Sequence, residues 1–380
     1  MRIAPLHVAK YVPPPYAGVE GHVDTLLGAL APHAECTLVA GGSTVAAAQP
    51  RPYRVCAART FGTLASVTLS PSVVGMVRTE LCSGRCNLLH VHAPNPWADL
   101  AALACSSDVP VVMTWHSDIV RQKRLMLAWR HVQRAVLDRV DRIVVFTPAH
   151  ADSSVQLHQR DVRRKIVQVP IGIAFDHLMP ERADPATLAR LDAFAGGRPL
   201  LLTVGRHVYY KGYDHLLQAL QHMRQDAVLA MVGTGPLTAQ LQDQARALGI
   251  AARVMFLGEV PQAGLAAAFQ RCDVFTLPSV APSEAFGIAS AEAMACGKPT
   301  VVCQLGNGVN YLNQDGRTSL TVPPRDPAAL GDALDTLAGD PSLRRRMGAA
   351  ARAWVQAEFS IDAMRTRTLA LYRELLDGRA

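Results

Sequence analysis

Short runs of aliphatic and β-branched residues alternate with amphipathic stretches along most of the 380-residue chain. The apolar runs at 3–8, 36–39, 88–91, 109–114 and 142–146 predict strands. The stretches between them, at 20–30, 72–81, 97–105 and 121–140, carry apolar positions three and four apart and predict helices. Runs that are apolar on both faces, separated by helices, imply a parallel sheet covered on both sides.

The rhythm pauses at 169–180, where two prolines and a glycine follow a strand at 165–169, and this stretch is the expected domain linker. It restarts with apolar runs at 200–204, 228–232, 254–257, 274–277 and 300–302. From 343 to 379 the pattern is helical, with a break near 358–362 that offers Ser360 as an N-cap. The expectation is α/β: two Rossmann-like, doubly wound domains at 1–173 and 174–357, then a helix at 358–380 crossing back to the first domain. Ligands of such sheets sit at the carboxyl ends of the strands, so two of these edges facing one another would make a cleft.

Composition narrows the class. Hydrophobic residues make up 49% and charged residues 18%, which excludes wholesale disorder. No apolar run reaches the roughly 18 residues of a membrane span, and the N-terminal stretch reads as a buried strand rather than a signal peptide. A cytoplasmic protein is expected. The net charge of +7 suits nucleic acid, an anionic membrane face or a phosphorylated ligand. A nucleic-acid partner is not expected, because aromatic residues do not interleave with basic ones and no zinc or helix-turn-helix signature is present. Cys82 and Cys86 lack the further Cys or His pair of a zinc set, while Cys36, Cys272, Cys296 and Cys303 lie in apolar contexts and read as core.

Four segments carry chemistry. Pro282-Ser-Glu-Ala-Phe-Gly-Ile-Ala-Ser-Ala-Glu-Ala-Met-Ala-Cys-Gly-Lys-Pro299 follows a strand and opens a helix. The amides of Phe286, Gly287 and Ile288 at its N-terminus form an anion site, with Glu284 just before it. Glu292, about one to two turns along, can accept two hydroxyls of a ribose or sugar. Val204-Gly-Arg-His-Val-Tyr-Tyr-Lys-Gly-Tyr-Asp214 places Arg206 and Lys211 in a turn at a strand's carboxyl end, as a diphosphate requires. Between the first strand and helix, Tyr11 to His22 contains Tyr16 and Gly18, and Gly18 permits close backbone approach of a ligand. Past two further strands lie His92 and Asn95, then His116 and Asp118. Gly233-Thr-Gly-Pro236 lacks the third glycine of a dinucleotide loop and reads as a tight strand-to-helix turn, with Pro236 as the first helical residue.

The Glu-x7-Glu spacing, the Gly-Arg…Lys-Gly turn, the Pro-Pro…Gly…Glu loop and the Val-Pro-Ile-Gly-Ile linker together resemble retaining glycosyltransferases of family 4, nearly end to end. The likeness is nearest to bacterial O-antigen, lipopolysaccharide and exopolysaccharide enzymes that move mannose or D-rhamnose from a GDP-sugar. It implies the two-Rossmann GT-B fold, an acceptor domain followed by a donor domain, and a hexosyltransferase without a bound cofactor or essential metal. By position, the resemblance gives Arg206 and Lys211 the donor diphosphate, Glu284 the transferred sugar and Glu292 the ribose. Phe286, Gly287, Ile288 and Gly18 would approach the phosphates, and the guanine would rest near 257–261. His116 would lie by the anomeric centre, with Tyr16, His92, Asn95 and Asp118 toward the acceptor. The usual Gly-Gly of the first loop is Ala17-Gly18, and Asn310 falls near the place of a family glutamate.

The implied acceptor is a polyprenyl-diphosphate-linked or other glycan. A basic helix with Arg121, Lys123, Arg124, Arg130 and Arg134 beside Leu125, Leu127, Trp129 and Val132 suits peripheral contact with an anionic inner membrane. The other readings weighed are a UDP-sugar-dependent member of the family, a non-catalytic nucleotide-sugar-binding subunit, and an epimerase or phosphorylase on the same architecture.

Overall fold

The structure, a computed structural model, describes residues 2–13, 18–42, 50–64, 67–119 and 123–378. It divides into two compact units, Met1–Gly172 with Ile361–Ala380, and Ile173–Ser360.

The first unit contains β1 (Pro5–Tyr11), β2 (Thr37–Gly41), β3 (Arg54–Ala58), β4 (Thr63–Leu64), β5 (Val67–Thr68), β6 (Leu88–Ala93), β7 (Val111–Trp115), β8 (Arg142–Val145) and β9 (Ile166–Gln168). Among the described residues a parallel sheet runs β3-β2-β1-β6-β7-β8-β9, with β4 and β5 as a separate antiparallel pair. The order reverses between β1 and β6. Side chains alternate across this sheet, as the two-residue period of a strand requires. Leu6, Val8, Leu89, Val91, Val111 and Met113 enter one core. Leu38, Ala40, Leu88, Val112 and Val144 enter another, against helices Gly18–Leu30 and Ile361–Asp377.

The second unit contains β10 (Leu200–Val204), β11 (Val228–Val232), β12 (Val254–Gly258), β13 (Val274–Leu277), β14 (Thr300–Cys303) and β15 (Ser319–Val322). Its parallel order is β12-β11-β10-β13-β14-β15, reversing between β10 and β13. Leu201, Leu229, Met231, Val274 and Val301 face one core, and Leu200, Leu202, Val228, Ala230 and Phe275 the other.

The long C-terminal helical pattern is two helices, Pro341–Phe359 and Ile361–Asp377, with extended Ser360 between them. Ile173 N–H donates to Phe359 O at 2.8 Å, so the outgoing and returning chain run side by side at the unit boundary. A Cβ on Gly172 would come 2.7 Å from the flexible end of Met364 and 3.1 Å from Ile361 Cα, so the chain packs closely here. Pro236 lies in a turn, and the helix after it starts at Thr238 rather than at the proline. Among the described residues no helix is long and apolar enough to cross a membrane.

Candidate active site

In the second unit the loops leaving β10 and β13 emerge side by side, where the strand order reverses. Such a switch point opens a crevice at the strands' carboxyl ends. The β10 loop carries Lys211 on a short 3-10 turn that ends at Gly212, whose φ is +65°. The β13 loop carries Glu284. Lys211 Nζ donates to Glu284 Oε2 at 2.6 Å, and both side chains are 12% exposed. Ser279 Oγ donates to the same oxygen at 3.1 Å. Asn307 Nδ2 donates to the Glu284 carbonyl at 2.7 Å, which fixes the loop from a third direction.

The helix beyond Glu284 spans Ile288–Ala295, with Gly287 at its cap in the left-handed region, φ +81°. A Cβ on Gly287 would stand 2.6 Å from Leu277 Cδ2. The glycine is therefore demanded by both backbone and space. Amides at a helix start have no intrahelical acceptor, so this end offers donors beside the Lys211–Glu284 pair. The Phe286 ring meets Phe359 edge-on at 5.3 Å between centroids.

Glu292 lies one turn into that helix and is 15% exposed. Burial pushes its carboxyl up to about 7. His177 Nε2 lies 3.5 Å from it, and burial lowers that imidazole. His177 belongs to the linker, and no sequence spacing pointed to it. Arg206 is exposed. It lines an open groove of about 660 Å³ with Gly233, Thr234, Gly235, Pro236 and Glu259. Asn310 does not reach into a site. Its Oδ1 accepts from Leu305 N–H at 2.7 Å and Gly306 N–H at 2.8 Å, and its Nδ2 donates to Cys303 O at 3.1 Å.

In the first unit His116 follows β7, and its Nε2 meets His92 Nδ1 at 3.1 Å. His92 is buried. Burial, chiefly, holds both imidazoles well below their usual range. Asn95 is a helix cap: it is buried, and its Oδ1 accepts from Trp97 N–H at 3.2 Å. Asp118 accepts from Trp115 Nε1 at 3.1 Å, Ser154 Oγ at 2.5 Å and Gln156 N–H at 3.2 Å, so it ties its loop to the next segment. Both carboxylate oxygens of Asp118 are thus engaged within the unit, and the side-chain oxygen of Asn95 is used by its own helix. Gly18 begins helix Gly18–Leu30, and among the described residues no atom lies within 4 Å of an added Cβ. Tyr16 lies outside the described residues.

The basic helix spans Lys123–Arg139. Arg121 and the side chains of Lys123, Arg124, Leu125 and Leu127 lie outside the described residues. Two members of its expected membrane face turn inward. Trp129 Nε1 donates to buried Asp99 at 3.2 Å, and Val132 packs on the core. All eight cysteines are free.

Residues 190–354 match the family described as Glycosyl transferases group 1, and residues 16–177 match Glycosyltransferase Family 4. The O-antigen chain mannosyltransferase C of Escherichia coli is 32% identical over 294 residues, 77% of each chain. The D-rhamnosyltransferase WbpZ of Pseudomonas aeruginosa is 37% identical over 292 residues, 76% of this chain and 74% of that one. A glycosyltransferase structure from Rickettsia africae superposes with a TM-score of 0.77 at 18% identity, over 99% of both chains. The chain belongs to the family 4 and group 1 glycosyltransferases and is an enzyme of glycosyl transfer with their two-domain α/β fold.

Proposed function

We propose that the enzyme moves mannose or D-rhamnose from a GDP-sugar to a lipid-linked or oligosaccharide acceptor during synthesis of a bacterial surface polysaccharide, with retention at the anomeric carbon. The observation that carries this reading is the enclosed Lys211–Glu284 pair beside the helix start at Ile288. The names of the E. coli and P. aeruginosa relatives support the sugar and the pathway class.

The leaving nucleoside diphosphate gains negative charge as the glycosidic bond breaks. Preorganised donors aimed at that charge contribute several kcal/mol. Lys211, Arg206 and the amides of Phe286, Gly287 and Ile288 are those donors, and Gly18 leaves room for the phosphates in the first unit. The base rests near 257–261, at the rim of the groove under Arg206. Glu292 accepts the ribose hydroxyls. Glu284 holds hydroxyls of the transferred sugar. Its Oε2 already takes bonds from Lys211 and Ser279, which suits a positioning carboxylate more than a nucleophile. The acceptor hydroxyl then attacks from the leaving-group face, and a diphosphate oxygen takes its proton. His116 stands on the acceptor side. No divalent ion is required, since cations and amides meet the diphosphate.

Calorimetric titration of the purified protein with GDP and with UDP, first without metal and then with magnesium, tests the donor. Micromolar GDP binding with much weaker UDP binding is expected. Preference for UDP overturns the donor base, and no binding of either favours a non-catalytic subunit.

A further inference from the structure

Among the described residues, six side chains of the first unit form one unbranched line of hydrogen bonds. Thr114 Oγ1 meets His90 Nε2 at 2.7 Å, and His90 Nδ1 meets the Tyr372 hydroxyl at 2.5 Å. The same hydroxyl meets His7 Nε2 at 3.1 Å, and His7 Nδ1 meets His92 Nε2 at 3.1 Å. His92 Nδ1 meets His116 Nε2 at 3.1 Å. β1, β6 and β7 supply the residues before His116, and Tyr372 comes from the helix Ile361–Asp377. All but His116 are buried.

Burial lowers His7 to about 3 and holds His90, His92 and His116 well below their usual range, so each ring is neutral at neutral pH. A neutral imidazole has one N–H and one lone pair. In an unbranched line, one choice of direction therefore sets every other. Tyr372 makes that choice, because its single proton goes either to His90 or to His7.

Hydroxyl donors form shorter bonds than N–H donors. The 2.5 Å contact to His90 Nδ1 suits the phenol as donor. The 3.1 Å contact to His7 Nε2 suits an N–H donating to the phenol oxygen. On one side, His90 Nε2–H then donates to Thr114. On the other, His7 Nδ1 accepts from His92 Nε2–H, and His92 Nδ1 accepts from His116 Nε2–H. The last nitrogen of the line, His116 Nδ1, keeps its lone pair.

We infer that Tyr372 is a positioning residue: it polarises the histidine line and holds His116 as the Nε2–H tautomer, so that His116 Nδ1 accepts a hydrogen bond from a substrate hydroxyl other than the attacking one, whose proton goes to the diphosphate. The inference rests on the acceptor-side reading of His116. His22 and Phe146 pack edge-on against the His116 ring, at 5.2 and 5.3 Å between centroids, and keep its plane. His7, His90 and His92 also bring one nitrogen each within 4.8 Å of one another. A metal there would need lone pairs that the line uses.

Two-bond proton–nitrogen spectra of the full-length protein labelled with 15N-histidine report which nitrogen of each ring carries the proton. The His116 signal is identified by its loss in His116→Ala. The expected result is an Nε2–H His116 in the unaltered protein and a mixture of tautomers in Tyr372→Phe. An Nδ1–H His116 in the unaltered protein overturns the inference, whether or not Tyr372→Phe folds. So does an unchanged His116 signal in a folded Tyr372→Phe, or stoichiometric zinc in the purified protein by elemental analysis. With GDP-mannose as the probe, Tyr372→Phe is expected to lower kcat about tenfold with the donor KM within about twofold. If His116→Ala keeps full turnover, the acceptor-side reading of His116 fails even where the tautomer is as expected.

Discussion

Lys211 and Glu284 stand 73 positions apart and meet at 2.6 Å in a site that is largely closed to solvent. Removing either leaves the other charge enclosed and the diphosphate or sugar without its partner. Lys211→Ala and Glu284→Ala are each expected to lower turnover of GDP-mannose by about two orders of magnitude or more. Initial rates on protein with an unchanged melting transition check this, and near-wild-type rates in either variant sink the site assignment. Glu292 carries a pH dependence of known sign. Its folded pKa of about 7 lies above the ordinary value of 4.5, so between those pH values the folded state holds more protons than the unfolded state. Stability is therefore lost as pH rises from about 4.5 to about 7. At 1.36 kcal/mol per unit, the loss is at most about 3 kcal/mol. Denaturant melts at pH 4.5 and 7.5 check this as a difference between proteins: the buried histidines, which stabilise as pH rises, and Asp99 titrate alike in both, so on going to pH 7.5 Glu292→Gln should change in stability more favourably than the unaltered protein, by up to about 3 kcal/mol. Residue types alone could nominate Asn95, Asp118 and Asn310, because an amide or carboxylate after a strand can face a ligand or cap a loop with equal chemistry. Only their hydrogen-bond partners separate the two, and here the partners are backbone amides and loop side chains.

At the scale of elements, runs of consecutive aliphatic residues were the legible part. The strands at 200–204, 228–232 and 274–277 fall where the apolar runs lie. β3 and β15 escaped because Arg54–Ala58 is partly exposed at a sheet edge and Ser319–Val322 mixes polar and apolar residues. Their strand state comes from pairing with β2 and β14, a tertiary effect that β propensity does not carry. The first strand begins and ends later than its apolar run, reaching Tyr11 through pairing with β2. Gly287 shows how an element's end makes a site. Gly287→Ala would impose a left-handed φ on a residue with a Cβ and crowd Leu277, at a cost of about 1–3 kcal/mol. The expected outcome is a lower melting temperature with nucleotide affinity reduced by more than tenfold, read by the same calorimetric titration. Unchanged affinity would remove the helix start from the anion site.

For the whole molecule, the last helix is part of the first unit although it follows the second in sequence. Leu369, Leu371, Tyr372, Leu375 and Leu376 enter the core under helix Gly18–Leu30. A protein ending at Ser360 should therefore expose that core and bind a hydrophobic dye at 25 °C, while its second unit still binds nucleotide. A truncated protein that melts like the full chain would contradict this placement. The amino-acid sequence by itself determined the two parallel-sheet domains, the helical tail and the motifs carrying Lys211, Glu284 and Glu292, because aliphatic periodicity and Gly-containing strand-to-helix turns are local properties. The tertiary structure alone decided which of these residues touch. The pairing of Lys211 with Glu284, the approach of His177 to Glu292 and the line from Tyr372 to His116 join residues from separate strands and helices. Such contacts depend on strand order and chain return, which no local pattern encodes.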